Sequence, residues 1–331
     1  MVKLFRLVIS ILLIAIVSLS VFAAASPVYI RIGHVGAPIS PQQSMGEIFA
    51  ALVAYKTKGD VQIQLYHSSQ LGTEAELQEG VRSGTIDGMI AGTWERHLPW
   101  AAVFQTPFLY SDMDHFIKVF SGPLGRELMT TIEKELNVKP LFIAPHGSFR
   151  RITNNVRPVK SAADLHGLKL RDPNVPSYSA VSKAVGAVPV PMDFSELYIA
   201  LDRGVVDGQH NPLSHVVGSK FYEVQKYLTL APYGIPPHVV TISMRAWNRL
   251  SEDQQEKVLE AANDTAIMFP SKGLAEEADL LEFLRNKMEI TYAEEIDLDS
   301  FLSLFETRVL PYLREAYGEK GAYWIEQIMA Y

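Results

Sequence analysis

Apolar positions along the chain fall into two alternating rhythms. Val28–Gly33 (VYIRIG) and Val61–Tyr66 (VQIQLY) carry the two-residue alternation of strands. Between them, Met45, Ile48, Phe49, Leu52 and Val53 recur at three- and four-residue steps, which predicts a helix over Gln42–Tyr55. A second helix is expected over about Glu74–Ser83, followed by a strand at Ile86–Ala91 with Gly92, Thr93 and Trp94 just past its end. The strand signal returns at Phe149–Thr153, Leu168–Asp172, Val205–Gly208 and Val239–Met244. Ser251, with Gln254 at capping-box spacing, starts a long helical region that resumes after Pro270 and runs through Met288. Pro270 predicts a kink near Phe269. A last helix pair is expected over about Leu298–Tyr317 and Ala322–Met329. Strands that alternate with helices predict an α/β fold with parallel sheet.

One stretch of this pattern occurs twice. Glu76-Leu77, Val81, Gly84 and Ile86-Asp87-Gly88 recur, each 120 residues later, as Glu196-Leu197, Leu201, Gly204 and Val206-Asp207-Gly208. Each copy reads as a helix, a glycine suited to the C′ position, and a strand opening with Asp-Gly. Asp193 and Glu196 add a capping box to the second copy. The repeat predicts two lobes of one architecture, each turning a strand end to a shared cleft. The second lobe is expected to begin near Ser148 and to break at the Gly- and Pro-rich Tyr233–Pro237. The chain then divides into residues 26–147 plus 237–276 for lobe I and residues 148–236 plus 277–331 for lobe II. Several crossings between lobes give the layout of a hinged binding protein.

Composition narrows the class. The 331 residues are 48% hydrophobic and 20% charged, as expected for globular domains, and the net charge of −7 argues against a nucleic-acid partner. Residues 1–25 combine Lys3 and Arg6, an apolar run from Leu7 to Phe22, and Ala23-Ala24-Ala25. This is the form of a secretory signal peptide cleaved near Ala25, the alternative being a retained anchor. Its removal takes net charge from −7 to −9. The chain has no cysteine, so a disulfide framework, a thiolate metal site and a lipid-anchored N-terminal Cys are all excluded. The expected location is the periplasm.

An acidic protein that binds an anion needs local positive charge. Arg151 and Arg171 each lie in a strand-like run, and Asn211 follows a third. Ligands of open α/β sheets sit beyond strand ends, so these three residues predict a carboxylate pocket. The guanidinium fork can give two parallel hydrogen bonds to the two carboxylate oxygens. Arg150 competes with Arg151, because side chains alternate across a strand and only one of the two can face the cleft. Lobe I offers His34, Glu74, Trp94 and Arg96 at or just past strand ends. Trp94 presents either a flat face for a carbon skeleton or ordinary core packing. A free carboxylate at Glu74 would favour a hydroxylated ligand over a second anionic group. The nine histidines show no metal-ligand spacing, and no G-x-S-x-G elbow or P-loop appears. Neither a cofactor nor an enzyme is expected.

Four segments carry a resemblance. They are Arg150–Pro173 (RRITNNVRPVKSAADLHGLKLRDP), Gly186–Leu201 (GAVPVPMDFSELYIAL), Gly204–Pro212 (GVVDGQHNP) and Phe221–Thr229 (FYEVQKYLT). In this order they resemble the signature region of the extracytoplasmic solute-binding proteins of TRAP transporters, the DctP family. The resemblance implies a two-lobed periplasmic binding protein fold with a hinge and a long bridging helix. It implies a receptor that captures a small organic acid, a C4-dicarboxylate or a sugar acid. The implied partners are the small and large membrane subunits of an ion-driven importer. It also implies that Arg171 grips the ligand carboxylate, that Arg151 and Asn211 assist, and that Phe194 packs on the ligand. One position departs from the pattern: His210 stands where the family usually has Glu. His210 then either helps bind the anion or points into the lobe and satisfies a backbone group. The rival functions are an exported enzyme acting on a sugar acid and a ligand-binding sensor module.

Overall fold

The computed structural model describes residues 26–331, so the expected leader lies outside the described residues. Two sheets form. The first contains β1 (Val28–Gly33), β2 (Val61–Tyr66), β3 (Gly88–Ala91), β4 (Val138–Pro145) and β10 (Pro237–Ser243), in the order β2-β1-β3-β10-β4. The second contains β5 (Arg150–Asn154), β6 (Lys169–Asp172), β7 (Val188–Pro191), β8 (Gly208–Asn211), β9 (Tyr227–Gly234) and β11 (Glu289–Thr291), in the order β11-β9-β5-β8-β6-β7. Each sheet builds one lobe. In each, three parallel strands are followed by one antiparallel strand, β10 in the first and β5 in the second, and then by a strand in the original direction, β4 in the first and β9 in the second.

The repeated segment folds the same way twice. Helix Glu74–Ser83 ends at Gly84 (φ 78°) and leads into β3. Helix Leu197–Asp202 ends before Gly204 (φ 66°) and leads into β8. Both glycines hold a left-handed conformation that a side chain would strain. The Asp of each Asp-Gly pair ties down the neighbouring parallel strand. The Asp87 carboxylate accepts from the Arg31 backbone N–H at 3.1 Å, and that of Asp207 from the Lys169 N–H at 2.8 Å.

The long helix begins at its Ser251–Gln254 capping box and runs from Glu252 to Leu284 without a break, with Pro270 inside it. At 33 residues it spans about 50 Å. Its first half buries Val258, Ala261, Ala262 and Phe269 in the lobe I core with Ile30, Phe49 and Phe142. Its end places Leu284 in the lobe II core with Leu197, Leu213 and Leu228. It therefore bridges the lobes. The helix expected to resume through Met288 stops at Leu284, and β11 follows.

Beyond β11, helix Leu298–Leu304, a π turn at Phe305–Val309 and helix Leu310–Met329 close the chain. Gly318 (φ 60°, ψ −157°) breaks the last helix where the sequence separates Tyr317 from Ala322. The sequence division gives residues 277–331 to lobe II. The end of the last helix packs instead on segment Pro99–Gln105 of lobe I. Trp324 stacks on Trp100 at 5.8 Å and meets Phe104 edge-on at 5.1 Å. Tryptophan at this spacing from Ile325 and Ile328 makes an apolar stripe, and the stripe finds its cover across the lobe boundary.

Candidate ligand-binding site

Strand direction decides which side chains meet between the lobes. Strands β6 and β8 run parallel and end at the cleft, which brings Arg171 and Asn211 there. Strand β5 is antiparallel to β8, so its first residue, not its last, lies at the cleft. That residue is Arg150. Lobe I contributes Glu74, the first residue of its helix, and Glu95, Gln105 and Gln42. Gly92 is required here by proximity. A Cβ on it would lie 2.8 Å from Gln105 Nε2, 3.0 Å from Glu74 Oε1 and 3.1 Å from Glu95 Oε2.

These residues line two adjoining cavities of about 70 and 60 Å³, which share Glu74, Glu95, Arg171 and Phe194. At roughly 10–15 Å³ per water-sized group, each has room for several non-hydrogen atoms. Arg96 lines the first and Arg150, Asn211, His146, His215 and His238 the second.

Arg171 is 3% exposed, and its Nε and Nη2 donate to the Met192 carbonyl at 3.2 and 2.8 Å. Burial, and Arg150 beside it, pull its pKa down to about 10, so it stays protonated at neutral pH. Arg150 Nη1 donates to the His210 carbonyl at 2.6 Å and to Asn211 Oδ1 at 2.9 Å, and its Nε has no partner among the described residues. Asn211 Nδ2 donates in turn to Gln209 Oε1 at 2.5 Å. Neither Arg150 nor Arg171 has a carboxylate within 4 Å among the described residues. Glu74 Oε1 accepts from the Gly92 N–H at 2.9 Å. Burial raises the pKa of Glu74, and burial together with Glu74 raises that of Glu95 to about 7. Phe194 lies under the Arg171 guanidinium at 5.9 Å and meets the His215 ring edge-on at 4.9 Å.

Four sequence candidates are placed elsewhere. Arg151 points away from the cavity. Its Nε and Nη2 donate to Glu277 Oε1 at 3.1 and 2.7 Å and its Nη1 to the Leu230 carbonyl at 2.6 Å, tying β5 to the long helix. Trp94 is fully buried in the lobe I core with φ 67°, and its indole N–H donates to Thr241 Oγ1 at 3.3 Å. The packing alternative holds for it, because its ring is fully buried and lines neither cavity. His34 is buried, bonded to Gln43 Oε1 at 2.9 Å, and lines neither cavity. His210 lies beneath the cavity floor. It is sandwiched between Tyr178 (4.9 Å) and Tyr233 (4.6 Å), with Nε2 at 3.1 Å from Asp172 Oδ1. Burial lowers its pKa to about 4 despite that carboxylate, so it is neutral across the range in which a free histidine titrates.

Sequence reasoning missed Arg150, Glu95, Gln105 and the three cavity histidines. Arg150 was readable in part, since the alternation argument admits only one of the two arginines. Choosing between them requires the direction of β5, which only the pairing shows. The histidines come from three distant places, the end of β4, the helix Leu213–Gly218 and β10. No local spacing could group them.

A family model described as bacterial extracellular solute-binding protein, family 7 (DctP), matches residues 32–317. The 2,3-diketo-L-gulonate-binding periplasmic protein YiaO of Escherichia coli K12 is 34% identical over 253 residues, covering 76% of each chain. A TRAP periplasmic solute-binding protein from Polaromonas, solved bound to D-erythronate, superposes with a TM-score of 0.84 at 30% identity, covering 91% of this chain and 98% of that one. Another, from Roseobacter denitrificans with bound L-galactonate, gives 0.82 at 28% identity, covering 92% of this chain and 100% of that one.

Proposed function

The chain belongs to the bacterial extracellular solute-binding proteins of family 7, and we propose that it captures a small organic acid by its carboxylate and delivers it to the membrane subunits of an ion-driven importer. The observation that carries this reading is the pair of buried guanidiniums, Arg150 and Arg171, facing one cavity with no carboxylate partner among the described residues. A buried charge without a counter-charge costs several kcal/mol. A ligand carboxylate would supply that counter-charge through two-pronged charge-assisted bonds. Asn211 would orient Arg150, and Phe194 would support both Arg171 and the carbon skeleton. The acids in the solved relatives, erythronate and galactonate, support a carboxylate as the common element.

The mature chain would act in the periplasm after removal of residues 1–25. Its lobes would close on the ligand about the crossings at residues 145–150 and 234–237 and along the long helix. The ligand would leave chemically unchanged, since a receptor needs only differential affinity for open and closed states. Calorimetry against a panel of organic acids and their methyl esters tests the reading. At least one acid is expected to bind and its ester to fail. An ester that binds as well as its acid would overturn the carboxylate anchor. Recovery of altered ligand from the denatured complex would overturn the receptor role in favour of an enzyme.

A further inference from the structure

We propose that His146, His215 and His238 form a built subsite for a hydroxyl-bearing carbon chain, so that this receptor selects a polyhydroxylated monocarboxylate over a dicarboxylate of the same length. The inference rests on the reading that Arg150 and Arg171 hold the ligand carboxylate.

The three imidazoles line the second cavity and are at least nine-tenths buried. His146 stacks on His238 with ring centroids 3.9 Å apart, and its Nε2 lies 2.6 Å from Nε2 of His215. His146 follows β4 of lobe I, and His215 sits on a lobe II helix, so this contact joins the two lobes. Nδ1 of each of the three rings is buried without a partner among the described residues. So are Gln42 Oε1, Arg150 Nε and Tyr178 Oη, on residues that line the same cavity. Buried polar atoms are rarely left unpaired, and six on residues lining one cavity point to a ligand that would pair them.

The short contact fixes what the rings can offer. Burial holds His146 and His215 well below the usual histidine range, so both are neutral. Of two facing Nε2 atoms one must then carry the proton and donate, while the other accepts. The donating ring is left with a bare Nδ1, an acceptor. The accepting ring carries its proton on Nδ1, a donor. Whichever way the proton sits, the pair presents one donor and one acceptor. A hydroxyl group both donates and accepts, so it can satisfy such a pair. A carboxylate only accepts and would leave one nitrogen unpaired. The opposite wall agrees. Glu74 and Glu95 can accept from hydroxyls, and the charge that Glu95 takes on as pH rises through about 7 would repel a second carboxylate.

The test measures binding of aldonates of four to six carbons, the matching unsubstituted acids, and C4 to C6 dicarboxylates to the whole protein by calorimetry or competition. At least one aldonate is expected to bind about 100-fold more tightly than its unsubstituted and dicarboxylate counterparts. His215→Leu and His146→Leu are expected to cut aldonate affinity about tenfold or more while leaving the plain acid within a few-fold, which also reports an intact fold. His215→Gln, which keeps a neutral donor and acceptor, should retain most of the preference. If no acid of any series binds, the carboxylate anchor falls, and this inference with it. If a plain acid or dicarboxylate matches the aldonates, or the leucine variants keep the full preference, the subsite is refuted and the anchor stands. Should the leucine variants fail to fold, the wild-type preference and the glutamine variant decide the matter.

Discussion

Laid strand on strand, β2-β1-β3-β10-β4 of lobe I matches β7-β6-β8-β5-β9 of lobe II in order and in direction. The registers match as well. Ile32 pairs with Gly88 and Gly33 with Met89 in one lobe, Leu170 with Gly208 and Arg171 with Gln209 in the other. At this shared address the two lobes carry opposite chemistry. Strand β3 reads GMIA and β8 reads GQHN, and all eight residues are buried. Gly33 occupies the place of Arg171, where a Cβ would lie 2.6 Å from Leu77 Cδ2. Lobe I has filled its strand ends with core, and lobe II has turned the same ends into a polar, cationic floor. The carboxylates of lobe I come instead from a helix start and a loop, Glu74 and Glu95. One fold thus supplies the anchor from rigid strands and the opposing wall from more adaptable segments.

The comparison is broken most directly by removing the fork at the anchor. Arg171→Lys and Arg150→Lys are each expected to weaken binding of the cognate acid by about 2 kcal/mol or more, roughly 30-fold, because a point charge cannot reproduce two parallel bonds. Arg151→Lys, one residue along the same strand, should change affinity by less than about fivefold, its loss falling on the tie to Glu277. Calorimetry on the three variants checks this. Equal losses at positions 150 and 151 would mean that β5 presents the wrong residue here.

A second perturbation uses the glycines that open β3 and β8. A Cβ on Gly208 would lie 2.3 Å from the Thr153 carbonyl oxygen, and one on Gly88 would lie 3.0 Å from that of Thr241. Both approaches come from the antiparallel neighbour at the same address. Gly208→Ala is expected to destabilise by about 2–3 kcal/mol and Gly88→Ala by about 1 kcal/mol, measured by denaturant titration. The reverse order would show that the lobes are less alike than their registers.

Much of this plan was legible in the sequence, because it is written in local signals. The repeated segments, the C′ glycines, the capping boxes and the Asp-Gly strand starts are local devices, and they gave two lobes and a long helical region from Ser251, while the bridging role of that helix was implied by the family resemblance. What stayed hidden depends on pairing. The direction of β5 decides between Arg150 and Arg151. The packing of Trp324 on Trp100 draws the last helix to lobe I. The imidazole cluster brings His146 against His215, 69 residues away across the cleft, and against the still more distant His238. His210 illustrates the same limit from the other side. Its position beside Asn211 suggested contact with the anion, and the pleat and the Tyr178 and Tyr233 rings put it below the floor.

Titration separates the lobes more gently. Glu95 is held up to about 7 on the lobe I wall, so it gains charge as pH rises through that value. A bound anion opposes that charge. Affinity for the cognate acid is therefore expected to fall several-fold between pH 6 and 8, and Glu95→Gln should flatten the profile. A wild-type profile already flat over this range would place the ligand away from Glu95.

The smallest effect is expected at His210, and it tests whether the lobe II floor is a fixed support. Its pKa is lowered to about 4 in the folded protein, against 6.5 for an unperturbed histidine. Between these values the unfolded chain binds a proton that the folded one does not. Its contribution to stability is therefore full above pH 6.5 and is lost as pH falls toward 4. Over pH 5.5–8 the folded ring stays neutral, so it adds no charge beside the ligand. Wild type and His210→Gln should then show the same pH dependence of affinity, within about twofold, while the melting temperature of the glutamine variant declines less steeply between pH 6.5 and 4. Affinity that strengthens below pH 6.5 in wild type alone would mean that the ring takes a proton next to the anion. The lobe II floor would then be a titrating part of the site, and the contrast between a fixed anchor and an adjustable wall would fail.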